Sequence, residues 1–207
     1  RIPEGGGTVT AKNTMGGETP RRENDSYNTP DALALAIAAR VAEACGTFDR
    51  IIEPSAGQGA FVRAALQTWG APILAIEPFG DWMPIAPRVV WSRSTWKDAQ
   101  VPTALADGRL LIIGNPPWAT AEAHIRLALD RMRTGDVLAF LLRGSFLAGQ
   151  ARVRGLWKDA PPSHVWHIAP RPSFTGDGKT DGYESAAIAW TKGHVGPFAG
   201  GWIEWTR

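Results

Sequence analysis

Apolar positions in this chain fall into short runs of four to six residues, separated by longer stretches in which apolar residues recur at helical spacing. Thr29-Pro30-Asp31 predicts a helix start, with Thr29 as N-cap and Pro30 at the first helical position. The Ala/Leu-rich run behind it extends to Cys45 and is stopped by Gly46. The pattern then alternates. Asp49–Glu53 predicts a strand, Ala60–Trp69 a helix closed by Gly70, Ile73–Ile76 and Val89–Trp91 two strands, and Leu110–Ile113 a fourth. A helix from Thr120 to about Arg133 and a strand over Val137–Leu142 follow. Beyond Ser145 the chain predicts a helix to Trp157 and two or three extended segments, at Val165–Ile168, Ala186–Thr191 and Gly201–Trp205. Short apolar strands spaced by helices indicate an α/β domain with a mainly parallel sheet, covered on both faces. Residues 1–26 predict an irregular arm and residues 27–207 a single domain.

Composition narrows this picture only a little. At 44% hydrophobic and 20% charged the chain can bury a core, and no apolar run approaches the roughly 20 residues of a membrane span. With Cys45 as the only cysteine and four histidines lacking ligand spacing, no metal site is expected, and a reducing cytoplasm is the default location. Net charge is only +2, but its distribution is uneven. Arg143, Arg152, Arg154, Lys158, Arg171 and Lys179 face just Asp159 and Asp177 in the same stretch, a segment able to follow a phosphate backbone. Some of the ten tryptophans are candidates for stacking on bases.

Candidate chemistry sits where strands end, because ligands of such sheets bind beyond the carboxyl ends of the strands. The first strand runs into Glu53-Pro54-Ser55-Ala56-Gly57-Gln58-Gly59-Ala60-Phe61, whose glycines allow a tight turn and close approach to a ligand. The third glycine of the dinucleotide fingerprint is missing, and the opening acid suits an amino-bearing ligand better than a pyrophosphate. The second strand ends in Glu77-Pro78, placed to accept hydrogen bonds from ribose hydroxyls. The fourth ends in Asn115-Pro116-Pro117-Trp118. Two prolines stiffen this loop and remove two N–H donors, leaving the Asn115 amide oxygen and Pro116 carbonyl to accept from an –NH₂ group. Such an arrangement aims the nitrogen lone pair at an electrophilic methyl.

Together, Tyr27-Asn28-Thr29-Pro30, the glycine loop, Glu77 and Asn115–Trp118 resemble the amino-methyltransferases of adenine in DNA, over roughly residues 27 to 190. The resemblance implies a Rossmann-like class I methyltransferase with a seven-stranded sheet and a reversed last strand. It implies S-adenosylmethionine as cofactor, double-stranded DNA as partner, adenine flipped from the stack as target, and a bacterial or phage cytoplasm as location. Thr29 and Pro30 are then expected at the methionine end of the cofactor, Glu53, Gly57 and Gly59 along its backbone side, and Glu77 at the ribose. Tyr27, Ser55, Pro78, Thr95 and Asn115 complete the expected cofactor set. Asn115, Pro116, Pro117 and Trp118 are expected to form the catalytic loop, with Trp118 stacking on the base. Phe174, in a Gly-rich stretch, is expected to be exposed and to contact the base from the other side. The pattern departs after the third strand, where Ser94-Thr95-Trp96 and Asp98 replace the usual acid, and no long target-recognition domain is present. A short or relaxed target sequence is therefore expected. RNA or protein glutamine as substrate, or an inactive nucleic-acid-binding subunit, are the alternatives.

Overall fold

The computed structural model describes residues 28–79, 86–102, 105, 107–174 and 182–206. Tyr27, the arm at 1–26 and most of the loop after Phe174 lie outside them. Strands and helices alternate through the first two thirds: α1 (Asp31–Cys45), β1 (Arg50–Glu53), α2 (Ala60–Trp69), β2 (Ile73–Ile76), β3 (Val89–Ser92), β4 (Leu110–Gly114), α3 (Ala121–Arg131) and β5 (Val137–Arg143). Two short helices, α4 (Gln150–Arg154) and α5 (Leu156–Asp159), lead into β6 (His164–Ala169), β7 (Ser185–Thr191) and β8 (Ala199–Glu204).

The strand order is β3-β2-β1-β4-β5-β7-β6-β8. The first five strands are mutually parallel, and β7 runs antiparallel to both β5 and β6. β1, β2 and β4 are buried along their whole length, which requires cover on both faces. Ile51, Ile73, Leu111, Ala139 and Ala187 pack on one face under Leu33, Ile37 and Val41 of α1 and Phe61 and Val62 of α2. Their neighbours Ile52, Leu74, Ile112, Leu138 and Ile188 pack on the other, under Ile125, Ala128 and Leu129 of α3 and the indole of Trp96.

Four expectations change. The sheet has eight strands rather than seven, because β8 pairs in parallel with β6 and extends the edge. Glycines make that pairing possible: a Cβ at Gly200 would stand 3.1 Å from the Val165 carbonyl oxygen. Pro30, not Thr29, caps α1, and no side chain caps it; the Thr29 hydroxyl accepts instead from Asn115 Nδ2 at 3.2 Å. The single helix expected to reach Trp157 is broken into a 3₁₀ turn over Gly144–Ala148 and the pieces α4 and α5, interrupted at Gly149 and Gly155. Phe174 is core, 2% exposed. The loop leaving β6 turns back over the sheet, and the ring joins the cluster beneath α1 and α2.

Candidate active site

Strand order reverses between β1 and β4, which leave the sheet toward opposite sides and open a crevice at their carboxyl ends. The cleft there is lined by Asn28, Thr29, Glu53, Ser55, Gly57 and Asn115, with the first residues of α2 forming its wall. Gly57 and Gly59 both adopt positive φ, +49° and +82°, which L side chains rarely tolerate. Gly59 donates its N–H to the Ala56 carbonyl at 2.7 Å, which turns the chain into α2.

Glu53 is the unusual group. It closes β1, is 1% exposed, and its pKa feels no cation among the described residues. Its Oε1 accepts the Ser55 N–H at 3.1 Å, while Oε2 is buried without a partner among the described residues. Burial pushes this carboxyl well above its ordinary range; the Ser55 N–H opposes the rise and the charge of Glu77 adds to it. Room for the carboxylate is made by Gly114 at the end of β4, where a Cβ would collide with it. Asn115 follows directly. Its Nδ2 is engaged by Thr29, and its Oδ1 is buried with no donor among the described residues. Two acceptor oxygens, one from each strand at the reversal, therefore line one cleft with lone pairs to offer. A ligand with amino or cationic N–H groups satisfies both.

Glu77 does not line this cleft. Its Oε2 accepts the Gly57 N–H at 2.8 Å and Oε1 the Phe79 N–H at 3.2 Å, so the carboxylate holds the glycine loop against the end of β2. Pro78 forms the bend after it. Thr95 is exposed and bonded locally, its hydroxyl donating to Asp98 Oδ2 at 2.6 Å. Pro116 is buried and Pro117 half-buried, and the chain then turns through a short 3₁₀ segment that presents Trp118. Trp118 and Phe174 meet edge to face, with ring centroids 5.6 Å apart, so Phe174 supports the Trp118 indole from the core instead of facing solvent.

Sequence reasoning missed two participants and read a third only as part of a basic segment. Gly114 was invisible because its φ is ordinary and its role depends on a strand neighbour. His124, in α3, reaches the glycine loop. Its Nδ1 lies 3.0 Å from the Thr120 carbonyl and must donate to it, so Nε2 accepts the Ser55 hydroxyl proton at 3.3 Å. Burial lowers the His124 pKa, and the neutral ring keeps this bond. Asn115 and Ser55 are thus tied to segments 86 and 69 residues away. The third participant is Arg143, whose guanidinium carbon lies 4.4 Å from the centroid of the Trp118 ring.

No family model matches the sequence, and no curated protein matches it. Solved structures do. A protein of Pyrococcus horikoshii described as an RNA methyltransferase superposes with a TM-score of 0.62 at 13% identity, covering 81% of this chain and 86% of that one. A protein of Listeria monocytogenes described as a class I S-adenosylmethionine-dependent methyltransferase gives 0.61 at 11% identity, covering 87% and 67%. The chain has the class I methyltransferase fold. The modification subunit described for a type I restriction enzyme of Vibrio vulnificus shares this fold at a TM-score of 0.53 and 11% identity, covering 81% of this chain and 44% of that one. In the methyltransferase fold the sheet's central reversal is the ligand crevice, and the glycine loop and the Asn115 loop of this chain flank it.

Proposed function

We propose that this chain transfers a methyl group from S-adenosylmethionine to the exocyclic amino group of adenine in DNA. One observation carries the reading: Asn115 Oδ1 and Glu53 Oε2, both buried and without partners among the described residues, belong to residues lining one cleft bounded by a glycine loop and a Pro-Pro turn. The donor set fits such a cofactor. Glu53 offers a carboxylate oxygen that an ammonium group can satisfy, Thr29 and Ser55 offer hydroxyls, and Gly57 turns without a side chain to obstruct the approach. When bound, the cofactor supplies a methyl carbon made electrophilic by its sulfonium.

The remaining work belongs to the protein. Asn115 Oδ1 and the Pro116 carbonyl accept the two amino hydrogens, which turns the nitrogen lone pair out of conjugation and toward the methyl. The Thr29 hydroxyl fixes the Asn115 amide so that its oxygen, not its nitrogen, faces the substrate. Trp118 provides a plane for the base. The methylated nitrogen is strongly acidic in its protonated form, and the extra proton departs to solvent.

The test compares transfer of a labelled methyl group to duplex DNA, RNA and protein. Asn115→Ala is expected to lower turnover on DNA by on the order of 100-fold or more. Cofactor affinity should change far less, because the amide oxygen serves the substrate. Turnover close to that of the parent chain, or methyl groups recovered only on RNA or protein, would overturn the reading.

A further inference from the structure

The methyl-transfer reading leaves open how the site chooses its base, and the following inference rests on that reading. β5 ends in Arg143, the first residue of that strand not fully buried. Its guanidinium carbon lies 4.4 Å from the Trp118 ring centroid and 4.1 Å from that of Tyr183. Two aromatic rings hold the planar cation and fix the direction of its donor fork. No carboxylate is within ion-pair distance of Arg143 among the described residues, and its buried Nε has no acceptor there.

The neighbouring guanidinium is already committed. Arg152 donates through Nε to the Phe146 carbonyl at 2.8 Å and lies 3.5 Å from Glu122, which also pairs with Arg126. Beside these residues opens a cavity of about 300 Å³, lined by Trp118, Leu142, Phe146, Glu122, Arg143 and Arg152. Its wall mixes polar groups with the Trp118, Leu142 and Phe146 side chains, and the Glu122 carboxylate would repel a phosphate. A flat heterocycle with ring acceptors suits the walls, the indole plane and the single uncommitted fork together.

We propose that this cavity receives the target base and that Arg143 is its specificity-determining residue. Arg143 donates to a ring nitrogen flanking the amino group that Asn115 holds. Adenine carries such acceptors at N1 and N7. A pyrimidine with a carbonyl in place of the amino group leaves Asn115 without its donor, and a base lacking the ring acceptor leaves a desolvated guanidinium unpaired.

The experiment uses the full chain and duplexes carrying one mapped target adenine, or 1-deazaadenine or 7-deazaadenine in its place. With adenine, Arg143→Lys should lower kcat/KM by on the order of 10- to 100-fold, since lysine keeps the charge but loses the fork and the stacking. In the parent chain one of the two deaza bases should cost a similar factor, and in Arg143→Lys that same base should cost less than about 3-fold more. Penalties that multiply in full would mean that Arg143 supports Trp118 or holds a phosphate, and would overturn the inference while methyl transfer stands. If Arg143→Lys does not fold, the parent chain still decides: equal rates on adenine and both deaza bases overturn the inference. A parent chain that methylates no nucleic acid removes the methyl-transfer reading, and the inference with it.

Discussion

Gly114→Ala tests whether the site is built around a buried carboxylate. In an open strand this change is neutral or mildly favourable, because alanine restricts the unfolded chain and tolerates extended backbone. Here the added Cβ would lie 2.6 Å from the Glu53 carboxyl carbon, a separation that real Cβ atoms do not show. Glu53 is enclosed, and its Oε1 is held by the Ser55 N–H. Overpacking costs about 1–3 kcal/mol, and a displaced carboxylate forfeits a hydrogen bond of about 1 kcal/mol. The expected loss is therefore about 2–4 kcal/mol, which for a chain of this size lowers Tm by roughly 5–15 °C. Urea unfolding of the parent, Gly114→Ala, Glu53→Ala and the double variant isolates the cause. With the carboxylate removed, Gly114→Ala should cost less than about 1 kcal/mol, so the two changes couple strongly. If Gly114→Ala costs as much in the Glu53→Ala background as in the parent, the steric account fails, and with it the claim that the glycine exists to seat this acid.

Two further outcomes follow from the same corner of the sheet. Because burial raises the Glu53 pKa, the folded chain keeps that proton to higher pH than the unfolded chain, and stability falls as pH rises from the ordinary carboxyl range toward the raised value. Glu53→Gln escapes this loss, so its advantage in urea midpoint should be larger at pH 8 than at pH 5, while its cofactor affinity drops; a gap independent of pH would contradict the assignment. Glu77→Ala strips acceptors from the Gly57 and Phe79 N–H groups and should weaken cofactor binding by on the order of 10-fold or more in calorimetric titration. Unchanged affinity would reduce Glu77 to a solvated strand end.

Most of the parallel half of the fold is legible because β1, β2, β4 and β5 are buried on both faces and so read as uninterrupted apolar runs. β1, β2 and β4 fall within a residue of their expected bounds. The same double burial marked the strand ends, and hence the glycine loop and Asn115–Trp118. The last third of the chain was harder to read. Three extended segments were visible, but the resemblance fixed the count at seven, and only tertiary pairing with β6 makes Ala199–Glu204 a strand. Phe174 misled for a related reason. A phenylalanine among glycines and charges has the composition of an exposed loop, yet the chain leaving β6 folds back and the ring buries beneath Trp118. Gly114 and His124 carry no local signature, and Arg143 only that of a basic segment, since each matters through a partner on another strand or loop.

The contrast between the two ends of the sheet bears on function more than any single motif. At the amino ends of the strands, several buried polar groups are satisfied. Arg50 donates to the Gly108 and Leu105 carbonyls, Asp136 accepts the Leu110 and Arg133 N–H groups, and Arg109 donates to Gly135, Cys45 and Thr47. These bonds close the sheet and leave nothing to offer a ligand. At the carboxyl ends Glu53 Oε2, Asn115 Oδ1 and Arg143 Nε are buried without partners among the described residues, on three adjacent strands or the loops leaving them. Unpartnered atoms elsewhere, Trp190 Nε1 and Ser185 Oγ of β7 among them, line neither cavity. An unmet buried acceptor costs about 1–3 kcal/mol, more if charged. Two acceptors and a donor left unmet at the carboxyl ends, among the described residues, carry a cost that a ligand of complementary chemistry removes. The ordering along the strands then divides that ligand in two: Glu53 and Asn115 face the cleft by the glycine loop, and Arg143 faces the cavity by Trp118. Asn115 lines the cleft and Trp118 the cavity, so the short Asn115–Trp118 turn runs from one to the other, as the proposed group transfer requires.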